Sequence, residues 1–62
     1  MTPQQARTIA ATYDAYCRRN GREWADRHYL RAGTPGYSAN LRLLEEARRV
    51  VAAVALAEGG VE

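Results

Sequence analysis

Residues 38–58, SANLRLLEEARRVVAAVALAE, decide the fold. They form the longest unbroken helical pattern in the chain, and they carry Leu41, Leu43, Leu44, Val50, Val51, Val54 and Leu56. At 100° per residue Leu43, Leu44, Ala47, Val50 and Val51 share an inward face. Arg42, Glu45, Glu46 and Arg49 lie outside, with Glu45–Arg49 and Arg42–Glu46 in pairing register. The second half differs, because residues 50–57, VVAAVALA, have no polar side chain on any face. Its outer strip, Ala52, Ala53 and Leu56, is expected to lie exposed or to be covered by a second copy of the chain or another partner.

Working back from this helix, residues 32–38, AGTPGYS, concentrate turn formers, and Ser38 is the expected N-cap. Residues 22–31, REWADRHYLR, suit a short helix with a Glu23–Arg27 pair. Its amphipathicity is poor. Trp24, Ala25, His28 and Tyr29 share a broad side, and Leu30 falls nearly opposite Trp24 and Ala25. The first helix is better marked. Thr2 is a good N-cap, Pro3 fits the first helical position, and Gln5 completes a capping box. Ala6, Ile9, Ala10, Tyr13, Tyr16 and Cys17 form its apolar stripe, Asp14 can pair with Arg18, and Asn20-Gly21 stops it. The pattern therefore predicts an all-α single domain over 1–62, with helices at about 3–19, 22–31 and 38–58. The last is the main core element, and a frayed tail follows at 59–62.

Length sharpens the expectation. A chain of 62 residues buries little apolar surface, and domains of this size usually need a staple or a partner. One cysteine, Cys17, rules out an internal disulfide, and one cysteine with one histidine falls short of a structural metal site's ligand set, so neither metal nor cofactor is expected. No segment approaches the ~18 apolar residues of a spanning helix, and the N-terminus lacks the pattern of an export signal. A soluble, cytoplasmic protein without a membrane partner is expected.

The net charge of +2 comes from nine basic and seven acidic residues, and all nine bases are arginine. Residues 18–31 hold five arginines against two carboxylates, a local balance of +3, which leaves −1 for the remainder. Trp24, His28 and Tyr29 are interleaved with them. Arg, Trp and Tyr dominate the energetics of protein interfaces, and the same mixture suits stacked bases and phosphates. Arg18, Arg19, Arg22, Trp24, Arg27, Tyr29 and Arg31 are therefore the expected partner-binding residues. The competing reading makes the aromatics the core of a chain that lacks Phe, with the arginines only solvating the surface.

Catalysis has weak support. A Cys17–His28 pair, or a carboxylate group from Asp14, Glu23 and Asp26, would lack an orienting third residue. The leading expectation is a small non-catalytic helical module that contacts a larger protein or ribonucleoprotein stoichiometrically. By size and character alone it is comparable to inhibitors carried by mobile elements, anti-CRISPR proteins among them. Direct nucleic-acid binding through the 18–31 segment, as a dimer, is the second expectation. A helix-turn-helix reading DNA with Asn40 and Arg42 at the start of the last helix is a separate possibility. A seven-residue connection, Glu45 and Glu46 on the exposed stripe and a net charge of only +2 count against it. Self-association through Ala52, Ala53 and Leu56 is the third.

Overall fold

The computed structural model of the chain describes residues 1–59. Three helices follow in order: α1 (Pro3–Asn20), α2 (Arg22–His28) and α3 (Tyr37–Ala57). Among the described residues there is no strand, and no helix is long and apolar enough to cross a membrane. The expected all-α, three-helix domain is the observed one. The tail expected at 59–62 lies, beyond Gly59, outside the described residues.

α1 begins as its sequence dictates. The Thr2 hydroxyl accepts the Gln5 N–H at 3.1 Å, and Gln5 Oε1 accepts the Thr2 N–H at 3.0 Å. This reciprocal pair satisfies two of the amides that a helix start leaves free. Gly21 stops the helix with φ of +96°, its N–H donating to the Cys17 carbonyl at 2.9 Å. Only glycine adopts that φ without strain, and it lets α2 start one residue later.

α2 is shorter than the 22–31 expected, and its end corrects the reading of Leu30. The helix stops at His28, and Arg31 takes φ of +62°, turning the chain back. Leu30 thus leaves the helical register that set it opposite Ala25. Its N–H reaches the Ala25 carbonyl at 3.3 Å, and its side chain becomes the largest fully buried one, 2% exposed. The poor amphipathicity of REWADRHYLR was an early helix end.

α3 starts at Tyr37 rather than Ser38. The Thr34 hydroxyl donates to the Arg31 carbonyl at 2.7 Å, and the Tyr37 N–H donates to the Thr34 carbonyl at 3.1 Å. This turn runs straight into the helix, so Gly36 stands at the cap and Ser38 lies exposed inside the first turn. At the far end α3 closes at Ala57, one residue short of the expected Glu58.

The core is small: Ala6, Tyr13, Ala25, Leu30, Leu44 and Ala47. Three of the six are alanines with no exposed surface, which permits close helix approach and contributes little apolar area. Ile9, Tyr16, Cys17, Tyr29, Tyr37 and Leu41 pack around it half-buried. Leu43, expected inward, is instead 49% exposed. α1 is the hub on which both α2 and α3 pack, while the backbones of α2 and α3 do not closely approach each other. The ion pairs Arg7–Glu58 (3.8 Å) and Asp14–Arg48 (3.5 Å) show α1 and α3 running in opposite directions. Asp14 thus pairs across helices, not with Arg18. Likewise Arg49 pairs with Glu46 at 2.9 Å, not with Glu45.

Candidate functional site

The end of the molecule formed by the last turns of α1, the whole of α2 and the reversal after it carries most of the unusual chemistry. Its foundation is one hydrogen bond. The Tyr13 hydroxyl, on a side chain 5% exposed, donates to Asp26 Oδ1 at 2.7 Å and ties α1 to α2. Burial, then the bond to Asp26, push the Tyr13 phenol up to about 12. An anion there would lose water and face the Asp26 carboxylate. On α3, the Arg48 guanidinium lies 5.4 Å from the centroid of the Tyr13 ring while pairing with Asp14, which fastens α3 to the same point.

On this base stands an aromatic ladder. Tyr29 packs against Tyr13 and Tyr16 at centroid distances of 6.2 and 5.6 Å, and Tyr16 packs against Trp24 at 5.4 Å. Burial raises the Tyr29 phenol as well, with Tyr16 adding a smaller electrostatic contribution. The last rung is His28, stacked on Trp24 at 4.3 Å with 25° between the planes. These two are i,i+4 neighbours on α2 and both face solvent, Trp24 being 37% exposed. The aromatics therefore divide between the two readings of the sequence. Tyr13 is core, Tyr16 and Tyr29 are half-buried supports, and Trp24 with His28 is surface.

The arginines divide too. Arg18, Arg19, Arg22, Arg27 and Arg31 are all exposed. Arg27 pairs with Glu23 at 3.4 Å, as the i,i+4 spacing predicts. Among the described residues no carboxylate pairs with Arg18, Arg19, Arg22 or Arg31. Arg18 and Arg19 occupy the last turn of α1, where the helix dipole favours cations. Of the expected set, Trp24 and the five arginines are exposed, and Tyr29 is half-buried. Sequence reasoning placed Trp24 and His28 on one side of the second helix but missed the part of Tyr16 in the ladder, which depends on how α2 packs on α1.

The groups considered for catalysis are dispersed. Cys17 is half-buried against the core, whereas His28 is exposed on Trp24. Asp14, Glu23 and Asp26 engage Arg48, Arg27 and Tyr13 respectively. No group of three His, Cys, Asp or Glu among the described residues could hold a metal ion. Asn40, expected at the reading end of a helix-turn-helix, donates from Nδ2 to the Leu30 carbonyl at 3.1 Å. With α2 packed on α1 and not on α3, the two helices do not form that motif. The outer strip of α3 is uncovered in the single chain: Ala52 and Ala53 are exposed, and Leu56 is 69% exposed. Comparison of the chain with protein families, characterised proteins and solved structures finds no match.

Proposed function

We propose that the chain is a non-catalytic binding module that works by stoichiometric contact with a larger protein or ribonucleoprotein, through the arginine and aromatic end of the bundle. The supporting observations are the exposed Trp24–His28 stack and the exposure of Arg18, Arg19, Arg22 and Arg31, none of them paired with a described carboxylate. An unpaired guanidinium still has its forked donors to offer a carboxylate or phosphate, and an exposed indole supplies apolar area at low entropic cost. The Tyr13–Asp26 bond and the tyrosine ladder hold α2 in place beforehand, so less conformational freedom is lost on binding. The partner surface that fits is acidic with an apolar cleft. An inhibitor of the mobile-element type would act by covering such a patch.

The test is affinity capture by the tagged full chain from native lysate, with and without nuclease, beside Arg19→Ala/Arg22→Ala and Trp24→Ala variants shown to keep their helicity. The reading expects capture to survive nuclease and to weaken tenfold or more in each variant. Wild-type capture by both variants would refute it. Capture abolished by nuclease would favour direct nucleic-acid binding, the second reading. The same stack supports that reading, since exposed rings and free arginines suit single-stranded bases. Its mark would be affinity falling linearly with salt on logarithmic axes.

A further inference from the structure

The two flanks of the α1/α3 pair are built differently. One is closed by Arg7–Glu58, Asp14–Arg48 and the Arg48–Tyr13 contact. The other is open: a groove of about 550 Å³ lined by Met1, Gln4, Gln5, Thr8, Ile9 and Leu43. None of these side chains can ionise, in a chain of which 26% is charged. A smaller hollow of about 190 Å³ shares Ile9 and Leu43 with it and reaches Tyr29, Leu30 and Asn40. The groove exists because α2, seven residues and ~10 Å long, is too short to cover α1 beyond its C-terminal half. Met1 and Leu43 stand at its walls 46% and 49% exposed.

We propose that this groove is where a second copy of the chain docks, forming a two-fold dimer in which each copy's Leu43 enters the other's groove. This inference does not depend on the binding function proposed above. Three observations select this occupant. The accessible surface is 4604 Å² for a mass of 6.9 kDa, where a compact monomer of that mass exposes about 4,000 Å². The excess is comparable with the roughly 800 Å² that each partner covers in a standard interface. Next, the six-residue core is far smaller than a stable small domain usually has, a deficit that association commonly makes good. Finally, charge favours self-pairing at this flank. Two copies at +2 repel through any cationic face, whereas a two-fold contact sets each patch against itself, and here there is no side-chain charge to oppose its like. An acidic protein or a nucleic acid would find no arginine in the groove lining to recognise. The dimer would carry two arginine and aromatic ends, converting a single weak contact into a bivalent one.

Sedimentation equilibrium of the full chain from micromolar to submillimolar concentration tests the proposal. Wild type should approach twice 6.9 kDa as concentration rises. Leu43→Arg and, independently, Thr8→Arg should each raise the dimer dissociation constant at least tenfold while keeping wild-type helicity. Both positions are exposed in the single chain, so charge there is tolerated by the fold. Leu56→Ser, on the outer strip of α3, should leave association unchanged. A wild-type chain that stays monomeric throughout would overturn the proposal. So would folded Leu43→Arg and Thr8→Arg chains that associate as wild type does, or loss of the dimer in Leu56→Ser alone, which would move the interface to Ala52, Ala53 and Leu56.

Discussion

Removing one oxygen from Tyr13 should loosen the join between α1 and α2. In Tyr13→Phe the ring still fills its place in the core, so the apolar contribution is unchanged and the hydroxyl is isolated. The lost bond is short, 2.7 Å, and its acceptor is a carboxylate. A hydrogen bond to a charged group contributes about 1.5–3 kcal/mol. Asp26 is half-exposed, and water can replace part of what it loses, so the net cost should be ~1–2 kcal/mol. Stability of roughly 0.05–0.15 kcal/mol per residue implies a total of only ~3–9 kcal/mol here, so the loss is substantial. At 4–8 °C per kcal/mol for small domains, the midpoint should fall by about 5–15 °C. Urea unfolding followed by circular dichroism at neutral pH measures this, with Tyr16→Phe as control. Tyr16 is half-buried and its hydroxyl makes no side-chain hydrogen bond among the described residues, so it should lose under 0.5 kcal/mol. The pH dependence gives a second signature. The phenol titrates at 10.0 in the unfolded chain and near 12 in the folded one, so the folded state favours the protonated form. The stabilisation is complete below pH 10 and is lost as pH rises toward 12. Tyr13→Phe should therefore show a shallower alkaline fall, with a residue left by Tyr29. If Tyr13→Phe and Tyr16→Phe cost the same, or if the alkaline profile is untouched, the bond does not join the helices as argued.

Three further outcomes follow from the same geometry. Asn40→Ala removes the donor to the Leu30 carbonyl and should cost about 0.5–1.5 kcal/mol in denaturant unfolding, whereas Ser38→Ala, the cap expected from sequence, should cost almost nothing. Arg31→Gly relieves a non-glycine φ of +62° and should raise stability by up to ~1 kcal/mol after the entropy of the unfolded glycine is subtracted; a loss of stability would show that the turn is unstrained. Ala47→Leu inserts bulk at a position with no exposed surface and should cost about 1–3 kcal/mol, with the amide-exchange protection of α1 and α3 falling together.

The arginine and aromatic end and the fold were legible in the sequence to different degrees. Local chemistry fixes a local outcome, so Thr2, Pro3 and Gln5 announced the start of α1, Gly21 its end, and Glu23–Arg27 the ion pair on α2. The concentration of arginines at 18–31 was visible as composition. Which of them remain without carboxylate partners was not, because pairing depends on what folds alongside: Asp14 could have held Arg18 but holds Arg48. Trp24 and Tyr13 are both large aromatics, and no periodicity tells a surface ring from a buried one when the covering helix is only seven residues long.

What the sequence determined by itself is the set of helices, since caps, breakers and a 3.6-residue apolar period act within a few residues of one another. Tertiary structure decided where those helices fail to cover each other. Leu30 reached the core because α2 ends at His28 and the chain turns there, and Leu43 was left half-exposed because α2 is too short to roof the flank beside it. Such outcomes depend on helix lengths and packing across long sequence separations, which no local pattern encodes. The groove beside Leu43 and the Tyr13–Asp26 tie under the aromatic ladder are both of that kind.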